Sequence, residues 1–165
     1  MTNPNPLPFD PQVQVVQTPQ ASSLVSFLVR LPVAFILSGV VVVLSGLIWG
    51  AIAYFTESIY VMIAILIGIG VTFALTFPFK RVPFLLGLIL LLPAMGLTIM
   101  AVLWGDFIFY TLVTMNEFNM EVLDAAARVA RYFIGIAITD EGESLASIAF
   151  AVIGAILGFV NAIRR

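Results

Sequence analysis

Phe84-Leu85-Leu86-Gly87-Leu88-Ile89-Leu90-Leu91-Leu92-Pro93 opens an apolar run that continues past Trp104 to about Val113. A helix needs about 20 apolar residues to cross the hydrocarbon layer of a bilayer, which is roughly 30 Å thick. The run over 84–113 exceeds that length, so we expect a membrane-spanning helix that tilts, kinks at Pro93 or protrudes. This stretch alone predicts an integral membrane protein.

Three further runs, over 33–55, 59–77 and 145–163, are also long and apolar enough for spans. Pro32 suits the first turn of the first span, and residues 24–31 ahead of it form either a short interfacial helix or an extension of that span. The segment 77–83 holds two prolines and two cations, which predicts an exit and a tight return. The predicted fold is therefore an all-α bundle of four transmembrane helices.

The composition supports a membrane protein of one domain. Of 165 residues, 62% are apolar and 10% are charged, and the mean hydropathy is +1.16. A soluble domain is about half apolar and about a quarter charged, so these few charges could not cover an apolar core in water. Residues 1–22 carry five prolines and no Lys or Arg, which predicts an extended Pro/Gln-rich cytoplasmic tail before a membrane domain over 23–165.

The segment 116–133 has a different pattern. Its charged residues recur at three- and four-residue steps: Glu117, Glu121, Asp124, Arg128 and Arg131. The opposite side is apolar: Phe118, Val122, Ala126, Val129 and Phe133. This spacing predicts an amphipathic helix that lies in the membrane interface or across the mouth of the bundle.

The charges also predict an orientation. With four spans, one side of the membrane carries Arg30, Lys80, Arg81, Arg164 and Arg165. The other side carries Glu57, Glu117, Glu121, Asp124, Asp140, Glu141 and Glu143, against only Arg128 and Arg131. Cations collect on the cytoplasmic side, so we expect both termini to be cytoplasmic in a bacterial inner or plasma membrane.

Several kinds of chemistry are disfavoured by the residues that the chain lacks. It has no Cys and no His, which are the ligands of common zinc, iron–sulfur and bis-histidine haem sites, and His is the commonest general base near neutral pH. We therefore expect no enzyme, no catalytic residues and no metal. The net charge of −2 and the lack of a basic cluster predict no nucleic-acid partner.

Asp106 is the one acid inside an apolar run, and a buried carboxylate there would suggest a proton or cation path. However, Asp106 lies 25 residues beyond Arg81, which is about 37 Å along a helix. That distance places it near the outer interface, between Trp104 and Tyr110, which are typical interface residues. An interfacial position is therefore the favoured interpretation.

Small residues four apart allow helix backbones to approach closely in lipid. Such pairs are Gly46 and Gly50, Ala64 and Gly68, and Gly154 and Gly158. They predict packing inside the bundle or contact with another subunit. Hydroxyls within the runs either bond to their own helix or line a pore: Ser38, Ser45, Thr72, Thr76 and Thr98. An aromatic series forms an interfacial belt, a quinone or pigment pocket, or a docking face: Phe107, Phe109, Tyr110, Phe118 and Phe133.

The arrangement of these segments resembles a loose class of small bacterial multi-span membrane proteins of unknown function. The likeness rests on Gly-rich spans over 38–50 and 64–70, a long third span ending in Gly105-Asp106-Phe107, and an acidic amphipathic segment before a short last helix. It runs from about Gly46 onward and omits the tail and the 77–83 turn. The resemblance implies the topology and no activity.

These observations favour a non-catalytic accessory or scaffold subunit of a larger respiratory, photosynthetic or transport-related membrane complex. Its expected partners are other membrane subunits and the lipid bilayer. The alternative is a small homo-oligomeric channel or transporter. An intramembrane enzyme or a pigment- or quinone-binding protein is the third hypothesis. We predict no cofactor, although contact with a pigment, a quinone or a lipid is compatible with the sequence.

Overall fold

The computed structural model describes residues 20–56, 61–79, 84–139 and 143–164, which form five helices. They are α1 (Gln20–Thr56), α2 (Val61–Thr76), α3 (Phe84–Phe118), α4 (Val122–Thr139) and α5 (Glu143–Ile163). Of the predicted tail only residues 20–22 are described, and they begin α1. The cations Lys80, Arg81 and Arg165 and the acids Glu57, Asp140 and Glu141 lie outside the described residues.

In the described part of the chain, three helices are long and apolar enough to cross a membrane: Val25–Thr56, Gly87–Phe118 and Leu145–Ile163. They correspond to the first, third and fourth predicted spans, and they indicate a membrane protein. The second predicted span, over 59–77, corresponds to α2, whose apolar part Met62–Thr76 is shorter. The 16 residues of α2 extend about 24 Å, less than the roughly 30 Å of hydrocarbon. A fourth span is therefore not established by helix length.

Pro32 lies inside α1 and does not begin it. The prediction of a helix start at this proline is wrong, and residues 24–31 are an extension of the same helix. A proline removes only one backbone hydrogen bond and crowds the preceding turn. In long apolar helices this is tolerated because neighbouring groups satisfy the freed carbonyl. The exposed ring of Pro32 also avoids the helix contacts of the bundle.

Helix α3 continues through Pro93 for 35 residues, which is about 52 Å. It therefore extends well beyond the thickness of the hydrocarbon layer.

The predicted amphipathic helix over 116–133 has the wrong boundaries. Residues 116–118 belong to the last turn of α3, and α4 runs from Val122 to Thr139. Asn119 separates the two helices with a φ of 48°, a left-handed conformation that Asn tolerates better than most residues. The N–H of Met120 donates to the carbonyl of Met115 at 3.2 Å, which is the long hydrogen bond of a Schellman helix end.

Helices α1, α2 and α3 pack side by side through two successive core clusters. One contains Ala34, Leu75, Leu90 and Ala94, and the other contains Val42, Trp49, Ile67, Val71 and Ala101. From the first cluster to the second, residue numbers rise in α1 and α3 and fall in α2. Helix α2 is therefore antiparallel to α1 and α3.

Helix α5 is parallel to α2, because Gly154 lies against Ile65 and Gly158 lies against Ile69. The start of α1, the end of α2, the start of α3 and the end of α5 thus lie at one end of the bundle, here called the near end. There the guanidinium of Arg30 donates to the carbonyl of Pro78 at 3.1 Å. The opposite end is called the far end.

The surface of the bundle is apolar as well as its core. Large side chains on α1 and α3 are exposed in the isolated chain, among them Val29, Ile36, Ile48, Leu85 and Leu92. Soluble monomers rarely expose continuous apolar surface of this extent. The surface is consistent with lipid as the solvent of these helices.

Candidate functional site

A buried polar contact joins α1 and α3 near the far end. Asp106 is 4% exposed and Trp49 is 1% exposed. The indole Nε1–H of Trp49 donates to Oδ1 of Asp106 at 3.3 Å. A carboxylate buried within a helix that could span a membrane is costly, and such residues usually serve a function.

Glycines on both helices make this contact possible. A Cβ on Gly105 would overlap the ring of Trp49. A Cβ on Gly46 would lie 2.5 Å from Cδ1 of Trp104, and one on Gly50 would lie 2.6 Å from the carbonyl oxygen of Gly105. The Gly46–Gly50 pair therefore packs inside the protein, where it brings the backbones close enough for Trp49 to reach Asp106.

The contact lies far from the cations of the near end. Trp49 is 19 residues beyond Arg30, which is about 28 Å along α1. The sequence likewise predicts that Asp106 lies far from these cations, about 37 Å along a helix from Arg81. The structure adds that its side chain faces the inside of the bundle, whereas the neighbouring Trp104 is exposed.

Sequence reasoning did not select Trp49. The feature that could have identified Trp49 is the presence of an indole between Gly46 and Gly50 in an apolar run. A buried indole N–H usually requires an acceptor, and Asp106 is the acid in the runs that could supply one.

A second close helix contact joins α2 and α5. A Cβ on Gly68 or on Gly154 would overlap the backbone of the facing helix, and one on Gly158 would lie 3.0 Å from Cβ of Thr72. Ala64 is fully buried in the same region. The predicted small-residue pairs thus lie at contacts within the described chain.

Most hydroxyls within the spans bond to their own helix, as expected. Ser38 donates to the carbonyl of Ala34 at 2.8 Å, and Thr98 donates to the carbonyl of Ala94 at 2.7 Å. Ser45 and Thr76 do the same with the carbonyls of Val42 and Thr72. The hydroxyl of Thr72 instead crosses to the carbonyl of Ala155 on α5 at 3.3 Å.

Ser147 differs from these residues. It is fully buried in α5, and its hydroxyl has no hydrogen-bond partner among the residues that the structure describes. Sequence reasoning missed it, because a serine near the start of a helix is usual and nothing in the sequence shows which neighbours surround it.

Helix α4 runs back along the last part of α3, so that the two form a hairpin over residues 107–133. The chain reverses at Asn119, and the ring of Phe133 meets that of Phe107 edge-on at 5.6 Å. Phe107 lies 12 residues before Asn119, and Phe133 lies 14 residues after it. Among the described side chains of α4, those of Ala125 and Val129 are buried. The helix thus packs along α3 rather than across the mouth of the bundle.

The predicted charged stripe is divided over this hairpin. Glu117 lies on α3, and Glu121 caps α4 by accepting the N–H of Ala125 through its backbone carbonyl at 3.0 Å. The charged side chains of α4 are exposed: Asp124, Arg128 and Arg131. The guanidinium of Arg128 stacks over the ring of Phe118 at 4.3 Å, a favourable cation–π contact. An open groove of about 670 Å³ follows this face, lined by Met120, Asp124, Ala127, Arg128, Arg131 and Tyr132.

A second, apolar groove of about 310 Å³ lies between α3 and α4. Its lining is Met100, Leu103, Trp104, Phe107 and Phe133. Two residues of the predicted aromatic series thus meet here, while Phe109 and Tyr110 contact each other at 5.2 Å. The groove can accept an apolar chain or ring. No group of three Asp, Glu, His or Cys side chains in the described ranges could hold a metal.

No protein-family model, curated protein or solved structure matches this chain. The resemblance to small bacterial multi-span proteins therefore stays a prediction. The function has to be argued from the geometry of the two helix contacts and of the α3–α4 hairpin.

Proposed function

We propose that this protein is a non-catalytic accessory subunit of a larger membrane protein complex in a bacterial inner or plasma membrane. In this proposal the α3–α4 hairpin is the surface that docks on the partner subunit. The observation that carries it is the exposed surface of α4. Leu123 is 81% exposed, and Tyr132, nine residues on and therefore on the other side of the helix, is 65% exposed beside Arg128.

The residue types on this surface suit a protein partner. Tyr and Arg are enriched at protein interfaces and among the residues that contribute most to binding. Helix α4 contacts the rest of the protein through Ala125 and Val129. A helix that served only to complete the fold would not also need an exposed leucine and an exposed tyrosine. The glycine pairs form contacts within the chain and are therefore not free to bind another subunit. The hairpin is the remaining candidate for a docking surface.

The same proposal includes four spans with both termini cytoplasmic. Arg30 and Arg164 lie at the near end, whereas the acids Glu117, Glu121 and Asp124 outnumber the two cations of α4 on the other side. This distribution is the one expected when the near end is cytoplasmic. Helix α2 would then be a short span, which can cross because it is largely enclosed by the other helices.

The test is native mass spectrometry of the protein extracted from its own membranes in lipid nanodiscs. We expect fixed stoichiometry with larger subunits. The double variant Leu123→Ala/Tyr132→Ala should lose the partner. The matched control Leu85→Ala/Leu92→Ala removes exposed apolar side chains from the lipid-facing side of α3 and should keep the partner.

A homo-oligomer without other subunits would contradict the accessory function. Loss of the partner in both double variants would contradict the hairpin as the docking surface. Circular dichroism of each variant shows whether the helices are intact.

A small homo-oligomeric channel or transporter is the second candidate, and the buried position of Asp106 favours it. Reconstituted protein would then conduct ions or a solute, and Asp106→Asn would abolish the flux without changing assembly. Equal flux in the wild type and this variant would remove the argument for a conduit.

A further inference from the structure

We infer that Asp106 and Ser147 form one buried site, near the far end of the bundle, that takes up a small monovalent cation, either a proton or Na⁺. This inference does not depend on the accessory function, because it concerns the inside of the bundle and not the docking surface.

The two residues lie at the same height on facing helices. Val102 of α3 and Ala151 of α5 share one buried cluster with Ala64. Asp106 follows Val102 by four residues, and Ser147 precedes Ala151 by four residues. Residues four apart lie on one face of a helix, about 6 Å apart along its axis. Because α3 and α5 are antiparallel, both residues lie one turn beyond the cluster toward the far end.

Both side chains also face the interior. Ser147 is 0% exposed and Asp106 is 4% exposed. The hydroxyl of Ser38 and that of Thr98 bond to their own helices, but that of Ser147 has no such partner among the described residues. A buried polar group without a partner costs free energy, and a ligand that accepts or donates a hydrogen bond would remove that cost. The hydroxyl of Ser147 is therefore available to a ligand at the height of Asp106.

The oxygen atoms of a carboxylate and a hydroxyl are suited to a small hard cation. A negative charge within a membrane domain is expensive, and uptake of one positive charge would remove that cost. Asp106 is the one buried acid among the described side chains. Its contact with Trp49 leaves this chemistry possible, since an indole N–H can donate to a carboxylate or to a neutral carboxyl group.

Few other titratable groups surround the site. Among the described side chains of the packed helices they are Tyr54 of α1, Tyr110 and Glu117 of α3, and Asp124, Arg128, Arg131 and Tyr132 of α4, while Arg30 of α1 and Arg164 of α5 lie at the near end. The described side chains of α2 include none. A change in cation occupancy should therefore be observed at Asp106 itself.

The experiment uses dicyclohexylcarbodiimide, which reacts with protonated carboxyl groups in apolar surroundings. The carboxyl proton moves to a carbodiimide nitrogen, the carboxyl oxygen adds to the central carbon, and acyl transfer to nitrogen leaves a stable N-acylurea. The full chain in nanodiscs is labelled over a range of pH and Na⁺ concentration, and mass spectrometry locates the label.

We expect label at Asp106 and none there in Asp106→Asn. If the cation is a proton, labelling slows as the pH is raised and does not respond to Na⁺. If the cation is Na⁺, added NaCl at constant pH also slows labelling, while choline chloride does not. Either result supports the site.

The variant Ser147→Ala should change the labelling rate at least about threefold, because one hydrogen bond to the carboxyl group or its ligand is lost. The control Ser38→Ala removes a hydroxyl that bonds to its own helix and should label like the wild type. Labelling that is independent of pH and Na⁺, or absent from Asp106, overturns the site. Equal rates in the two serine variants overturn the part assigned to Ser147. If Ser147→Ala fails to fold, the pH and Na⁺ dependence of the wild type still decides.

Discussion

Gly105 has no side chain because the ring of Trp49 occupies the space where a Cβ would lie. Gly105→Ala should therefore lower the free energy of unfolding by about 1–3 kcal/mol, the usual cost of overpacking. Gly96 on the same helix has no atom within 4 Å of its ideal Cβ, and Gly96→Ala should be neutral or stabilise the helix by about 0.5–1 kcal/mol. Reversible unfolding in mixed micelles measures both, and equal losses would contradict the close contact.

The hydrogen bond between Trp49 and Asp106 can be measured by a double-mutant cycle. Trp49→Phe removes the donor, and Asp106→Leu replaces the acceptor by an apolar side chain of similar shape. We expect a coupling free energy of about 0.5–1.5 kcal/mol, the range found for hydrogen bonds between membrane helices. Additive effects of the two substitutions would show that the bond contributes nothing to stability.

The distance of Asp106 from the near end of the bundle could be predicted from the sequence, because each residue of a helix adds a fixed rise. Its surroundings could not be predicted. Whether a side chain faces lipid or protein depends on which helices cross and at what level, and several crossings satisfy the same apolar runs. The same reason explains why Ser147 escaped notice.

At the scale of the elements, Asn119 determines where α3 ends and α4 begins. Its φ of 48° costs an L-residue without a short polar side chain roughly 1–2 kcal/mol. Asn119→Ala should therefore destabilise the hairpin by about 1 kcal/mol, and Asn119→Gly should be neutral. Thermal unfolding followed by circular dichroism compares the two. An alanine variant as stable as the glycine variant would contradict the left-handed helix end.

The apolar runs predicted four spans, of which three correspond to described helices long enough to cross a membrane. They did not give the helix ends. The sequence predicts that one helix begins at Pro32 and another at Asn116, yet α1 and α3 continue through these residues. In a run with an apolar environment on every side, an unmade backbone hydrogen bond is costly. The helix therefore continues until the left-handed conformation of Asn119 lets the N–H of Met120 donate to the carbonyl of Met115.

At the scale of the whole molecule, the number of crossings decides on which sides the two chain ends lie. The chain contains no cysteine, so single cysteines can be introduced directly at Ser26, Asn116 and Arg164. If α2 crosses the membrane, an impermeant maleimide added to right-side-out vesicles labels Asn116→Cys and leaves the other two unlabelled until the membrane is permeabilised. If only one of the variants Ser26→Cys and Arg164→Cys is labelled from outside, the two chain ends lie on opposite sides of the membrane. The chain would then cross three times, and α2 would be excluded as a span.

The parallel contact between α2 and α5 has a consequence for biosynthesis. The ribosome releases α2 early, but Gly68 and Ala64 meet their partners on α5 only after about 80 further residues have been made. Until then the shortest helix of the bundle has its closest-packing face uncovered, and a translocon or chaperone that shields it would be needed. A chain terminated before Glu143 should consequently be inserted but rapidly degraded by membrane proteases, because the last helix to be made completes the support of the second.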